Sequence, residues 1–344
     1  MNDRRTIVVS AVNLRKGGTL TILRNCLRYL SARTDEFRVV ALVHRRALCD
    51  MPGIEYRELP WCTKSWFHRL WAEYVTMHRI SRQLAAQDGR KVWTWLSLHD
   101  TTPRVEAEHR EVYCHTSFPF LKLQARDFLM DPKIPLFALF TRFAYQVNIH
   151  RNESIIVQQE WFADALSRLL RVPRERFRVI PPERPCFVPG QAEPARPYTF
   201  FYASTPDCHK NFETLCRAAE GLERQVGEGR FRVVLTLRGD ENRYARWLYR
   251  KWGHVKSISF AGFMSKETLF AQYASSQCFV FPSRIETWGL PVSEYMGTHP
   301  DGTLLLADLP YAHETAAGAA KIEFFPATDY VSLQNLMYEN LAIR

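Results

Sequence analysis

The sequence lacks the marks of several protein classes. Its eight cysteines (26, 49, 62, 114, 186, 208, 216 and 278) include no C-x2-C pair, which argues against a zinc site. A disulfide framework is not expected in a chain of 344 residues, so reduced thiols in a cytosolic compartment fit best. There is no long hydrophobic run: the stretch from Ile134 to Ile149 is broken by Arg142 and falls short of the roughly 20 residues a spanning helix needs. The opening MNDRRTIVVSAVNL has too short an apolar run for a signal sequence, so no bilayer-crossing segment is expected. No two aspartates have the Asp-x-Asp spacing that suits a metal ion, and there is no internal repeat or low-complexity tract.

What is present is an uneven charge. The net formal charge is +10, yet residues 1–185 hold 30 Lys and Arg against 19 Asp and Glu, a net +11. Residues 186–344 hold 16 against 17, a net −1. A basic excess confined to one half suits anionic lipid, an anionic substrate or nucleic acid, or is simply a solvated basic surface.

Short β-rich runs alternate with helical patterns. Strands are predicted at Thr6–Ala11, Arg38–Val43, Val92–Leu96, Val112–Cys114, Ser154–Val157 and Phe177–Ile180. After a gap come Tyr198–Tyr202, Arg232–Leu237, Ser257–Phe260, Cys278–Phe281 and Thr303–Ala307. Between them, spacings such as Leu20, Leu23, Leu27 and Leu30 give one-faced helices. Strands apolar nearly end to end, separated by helices, predict parallel sheets covered on both faces. The gap, 181–197, holds six prolines and is expected to be a stiff linker. The expected organisation is an N-terminal domain over 1–180, the linker, a second domain over 198–329, and a C-terminal helix over 330–344 packing back toward the N-terminal domain. Each domain is a Rossmann-like, doubly wound α/β fold, and ligands belong at the strand C-termini, in a cleft between the two.

Three clusters carry chemistry. After the first strand, Gly17-Gly18 lets the backbone turn sharply into a helix whose free amides suit a phosphate, or is an ordinary strand-to-helix turn. After the first strand of the second domain, Lys210 near a helix start is either a counter-charge for a diphosphate or an exposed surface lysine. The third, CFVFPSRIETWGLPVSEYMG over 278–297, runs from a buried strand into a loop with Glu286, then Gly289-Leu290-Pro291 opening a helix with Glu294 in its first turn. Carboxylates placed this way can accept ribose and sugar hydroxyls, or are a loop acid and a helix-capping acid. His115, at a strand end, is by itself a structural or a site histidine.

The third cluster resembles the Glu-x7-Glu signature of the retaining family 4 glycosyltransferases, of GT-B fold and of the bacterial surface-polysaccharide and lipopolysaccharide assembly type. Glu286 and Glu294 match the two acids, with Pro282-Ser283 and Gly289-Leu290-Pro291 in their usual places. The resemblance spans nearly the whole chain: Gly17-Gly18, Lys210-Asn211, Leu237-Arg238-Gly239-Asp240, Tyr273-Ala274, Asp308-Leu309-Pro310 and Glu314 fall in order. It implies a C-terminal domain binding a UDP- or GDP-linked sugar, with Glu294 on the ribose, Lys210 on the diphosphate and Glu286 facing the donor sugar. Gly17, Gly18, Gly239, Gly289 and Leu290 would line the donor site, the Gly18 amide touching a phosphate. His115, within Val112-Tyr113-Cys114-His115-Thr116-Ser117, would be the active-site histidine beside Glu286 and Lys210. No cofactor and no metal are expected. One departure concerns the arginine that many members place before the lysine. Here Ser204-Thr205 stands there, so His209 substitutes, Arg284 or Arg238 reaches in, or the grip is weaker.

Residues 61–82 mix Trp61, Trp66, Phe67, Trp71 and Tyr74 with Lys64, Arg69, Arg79 and Arg82. This is a helix for an anionic membrane surface, or a core helix with a solvated basic face. The segment 99–104, HDTTPR, follows a strand and is expected to line the cleft. The function expected is metal-independent retaining sugar transfer to a lipid-linked or polysaccharide acceptor, by a cytoplasmic protein peripherally bound to the inner membrane face. A sugar-nucleotide epimerase or glucan synthase is the enzymatic alternative. A nucleic-acid binder is the remote one, since no helix-turn-helix or aromatic single-strand platform is present.

Overall fold

The computed structural model describes residues 4–183 and 194–342, so most of the proline-rich stretch 181–197 lies outside the described residues. The chain forms two compact units: residues 4–116 with 140–182, and residues 117–139 with 183 and 194–342.

The first unit and the segment inserted in it run β1 (Arg5–Ala11), α1 (Gly17–Ser31), β2 (Phe37–Val43), β3 (Ile54–Glu58), α2 (Trp66–Trp71), α3 (Met77–Asp88), β4 (Val92–Ser97) and β5 (Ala107–Tyr113). They continue with α4 (Ala125–Met130), α5 (Lys133–Gln146), β6 (Ser154–Val157), α6 (Glu160–Leu170) and β7 (Phe177–Val179). The second unit adds β8 (Tyr198–Tyr202), α7 (Phe212–Val226), β9 (Phe231–Leu235), α8 (Arg243–Trp252), β10 (Ile258–Phe260) and α9 (Lys266–Ser275). It ends with β11 (Cys278–Phe281), α10 (Leu290–Thr298), β12 (Thr303–Ala307), α11 (Pro310–Thr315), β13 (Lys321–Phe325) and α12 (Tyr330–Ala342).

Seven parallel strands in the order β3-β2-β1-β4-β5-β6-β7 make one sheet, and six in the order β10-β9-β8-β11-β12-β13 make the other. Both are doubly wound. In β1, Val8 faces a core with Val40, Leu84 and Trp95, while Val9 faces another with Leu23, Leu27 and Val39. That two-sided burial is why the central strand sequences are largely apolar. The helix expected from the leucine spacing is α1, with Leu23, Leu27 and Leu30 buried. α12 packs along α7, where a side chain at Gly221 would run into Gln334.

Two strands escape the sequence pattern, β3 and β13, and both are sheet edges with charged or half-exposed residues. β5 also starts earlier than predicted, at Ala107, because its first half is polar. Strand order reverses between β1 and β4 in one sheet and between β8 and β11 in the other. Loops at such reversals diverge and leave room for ligands at the strand C-termini. Among the described residues no helix is long and apolar enough to cross a membrane.

Candidate functional site

In the second unit the loops after β8 and β11, the two strands at the reversal, meet through Lys210 and Glu286. Lys210 Nζ lies 2.5 Å from Glu286 Oε1, with both side chains mostly buried. The local sequence explains why they converge. Residues Cys208–Lys210 form one 3-10 turn, and Asn211 takes a left-handed conformation (φ 58°) that asparagine tolerates better than most side chains. From there the Asn211 amide donates to Pro282 O at 3.0 Å and Ala327 O at 2.6 Å, joining three loops. Tyr202 donates to Lys210 O at 2.7 Å, and Tyr311 donates to Ser283 O at 2.7 Å. The Ser283 hydroxyl donates to Glu286 Oε1 at 2.7 Å, so the carboxylate is held from two sides.

Gly289 sits at φ 84° immediately before α10, where a side chain would be strained, and Leu290 is the first helical residue. Glu294 therefore falls in the second turn, one turn later than expected. It accepts from Tyr273 of α9 at 3.2 Å, and burial raises its carboxyl above the usual range. Gly239 has φ 107° and is pressed against Tyr249: a Cβ there would come within 2.5 Å of that side chain. Its amide donates to Glu241 Oε2 at 2.9 Å. Burial acts to raise the Glu241 carboxyl, but backbone amides of this loop outweigh it and hold the group low.

Two substitutes for the missing arginine are corrected. His209 is buried, and burial together with Lys210 and Arg284 pushes its imidazole well below the usual range, so it carries no charge near neutrality. Arg284 turns into the protein, where its Nη1 donates to Asp127 Oδ2 at 3.1 Å and its Nη2 donates to Asp127 Oδ1. Arg238 is exposed and is the remaining cation of the three.

In the first unit, Gly17 and Gly18 are exposed and open α1, whose cap Lys16 makes no side-chain capping bond. After β4, the neighbour of β1, Asp100 adopts φ 69° and gathers several donors. It accepts from the His115 amide (2.7 Å), Thr116 N (3.1 Å), Thr116 Oγ1 (2.8 Å) and Tyr145 OH (2.8 Å). Asp100 Oδ2 also lies 3.2 Å from His115 Nε2. The segment 99–104 thus supplies the carboxylate that orients His115, a role no motif pointed to. His99 turns inward to Ser10 Oγ at 3.0 Å and to Glu73 at 3.5 Å. Burial, Arg69 and His115 hold it well below its ordinary pKa.

The helix expected over 61–82 is a 3-10 turn, then α2, a π-helical turn over Ala72–Thr76, and α3. Its two faces separate both readings. Trp66, Phe67, Leu70 and Trp71 are exposed, whereas Arg69 is turned onto the buried Glu73 and is not part of a free basic face. A second run of exposed apolar side chains lies on α4 and α5, including Phe128, Leu129, Leu136, Phe140 and Phe143.

Residues 196–299, which include Lys210, Glu286 and Glu294, match the family model of the glycosyl transferases, group 1. Among curated proteins no similar sequence is found. Solved structures resemble nearly the whole chain. They include the sucrose-phosphate synthase of Thermosynechococcus elongatus (15% identity, covering 98% of this chain and 90% of that one, TM-score 0.67). WaaG, a glycosyltransferase involved in lipopolysaccharide biosynthesis, is similar at 13% identity, 98% and 90% coverage and TM-score 0.66. Anabaena HepE, in complex with UDP and glucose, is similar at 11% identity, 97% and 90% coverage and TM-score 0.62. At these identities the likeness is one of fold, and the fold class is GT-B, two Rossmann-like parallel-sheet units.

Proposed function

We propose that this chain is a retaining glycosyltransferase of the family 4 type, taking a sugar from a UDP- or GDP-linked donor without a metal. The observation that carries the reading is the Lys210–Glu286 pair at the β8/β11 reversal, inside the segment matched by the group 1 family model. Lys210 would neutralise the leaving diphosphate as the glycosidic bond breaks, and Glu286 would hold the donor sugar. Glu294, raised on the second turn of α10, would accept the ribose hydroxyls. His115, held by Asp100, would serve the acceptor side.

The acceptor in this reading is lipid-linked or a growing surface polysaccharide, of lipopolysaccharide or O-antigen kind, at the cytoplasmic membrane face. The fold shared with WaaG supports it, as do the exposed aromatic side chains of α2 and the exposed Lys64, Arg79 and Arg82 that flank it in the sequence. Peripheral binding to anionic lipid follows from the same features.

Thermal-shift measurements with UDP, GDP, ADP and their sugars test the donor reading. A ligand at 100 times its Kd stabilises by about 2.7 kcal/mol, so one nucleotide series should raise the melting temperature clearly. No shift with any of them would overturn the assignment.

A further inference from the structure

The loops bearing Lys210 and Glu286 are gripped by a segment from far up the chain, residues 117–139, which belongs to the second unit. Arg284 is the point of grip. Its backbone amide donates to His209 O at 2.8 Å, and its Nη2 donates to Cys208 O at 3.3 Å, so it spans the turn that presents Lys210. Nη1 donates to Lys122 O at 3.3 Å, and both Nη atoms bind Asp127. The two side chains are 5% and 0% exposed, a fully enclosed fork.

Asp127 is itself fixed. It stands at the third residue of α4, and its Oδ2 accepts from the Gln124 amide at 2.8 Å in a capping box. Beside it, Arg126 pairs with the buried Glu213 in the first turn of α7, just beyond Asn211. The Phe118 ring meets His209 edge-on at 5.0 Å, and Thr287 donates to Ser117 Oγ at 3.4 Å. Segment 117–127 thus touches the site loops at residues 209, 284 and 287, and the start of α7 at residue 213. Arg284 cannot turn to a phosphate without leaving a carboxylate buried without its counter-ion.

We infer that Asp127, acting through Arg284, is a positioning residue that holds the Lys210 turn against the Glu286 loop. Its functional meaning rests on the donor-site reading above, but the positioning can be measured without activity. The readout is the rate at which acetic anhydride acetylates Lys210, followed by peptide mass spectrometry, relative to the exposed Lys256 in the same molecule. In the wild-type chain Lys210 is screened by its ion pair and its burial. Asp127→Asn, which keeps the shape and removes the charge, should raise the Lys210 rate at least fivefold and leave Lys256 unchanged. Arg284→Lys, which keeps a cation but loses the fork, should do the same, and Asp127→Glu should restore part of the protection.

A Lys210 rate within twofold of wild type in folded Asp127→Asn would overturn the inference. If Asp127→Asn does not fold, Arg284→Lys is judged by the same twofold limit. If neither variant folds, the pair is a folding determinant of the unit and the positioning role falls. Calorimetry of the wild-type chain with UDP and GDP is the separate arm. Absence of binding there overturns the donor-site reading while the labelling result stands.

Discussion

Lys210 Nζ stands 2.5 Å from Glu286 Oε1, the same oxygen that accepts from Ser283. A diphosphate arriving at Lys210 must compete with this carboxylate for one ammonium. Glu286→Gln is therefore expected to tighten binding of free UDP or GDP by about tenfold, ~1.4 kcal/mol, while slowing transfer. Lys210→Ala should depress turnover more than donor binding, because charge on the diphosphate grows as the bond breaks. Calorimetry beside initial rates checks both. Weaker nucleotide binding in Glu286→Gln would mean the carboxylate aligns Lys210 for the ligand and does not compete with it.

Glu294 has a carboxyl raised by burial, and it accepts from the Tyr273 hydroxyl at 3.2 Å. An acid whose folded pKa lies above its unfolded value supports the fold fully below the unfolded pKa. That support is lost as pH rises through the folded pKa. Glu294→Gln should thus be more stable than wild type near neutrality, with the difference vanishing in acid. Nucleotide binding should move the other way, losing about 1.5–3 kcal/mol for each charge-assisted hydrogen bond to a ribose hydroxyl. Melting curves across the acid-to-neutral range, with and without UDP or GDP, read both signs. Equal nucleotide affinity in the two proteins would remove Glu294 from the site.

The proposed counter-charge to the diphosphate is Lys210 with neighbouring amides. Transfer assays in EDTA are expected to run at the untreated rate. Activity that vanishes with chelator and returns with Mg²⁺ or Mn²⁺ would replace this scheme with one in which the ion neutralises the phosphates.

Membrane contact is expected through α2 and its basic flank. Each Lys or Arg near an anionic surface adds roughly 1 kcal/mol, an effect that fades with salt over a Debye length. Co-sedimentation should show pelleting with anionic vesicles, little with neutral ones, and release by salt. Changing Trp66, Phe67 and Trp71 to Ser should weaken binding, as should changing Lys64, Arg79 and Arg82 to Ser. Arg69 is left in place because it neutralises the buried Glu73. Equal pelleting with both vesicle types, or none with either, would show that the basic excess serves something else.

The sequence by itself determined the parallel α/β architecture, because strands buried on both faces are apolar nearly throughout, as β11 is and as β12 is after Thr303. It also determined where Lys210, Glu286, Gly289 and Glu294 lie along the chain, since turn residues and helix starts leave local marks. The edge strands β3 and β13 were illegible because an edge carries charge on a face that a central strand would bury. Only the tertiary structure decided which side chains meet over long separations. Asp127 and Arg284 are 157 residues apart, and Asp100 and Tyr145 are 45 apart, distances at which no periodicity links them. A buried carboxylate announces itself only through the cation or donors that make its burial tolerable, and those are assembled by the fold. Hence Arg284, which the sequence offered as a phosphate ligand, is held inside the protein by an aspartate that no motif marks.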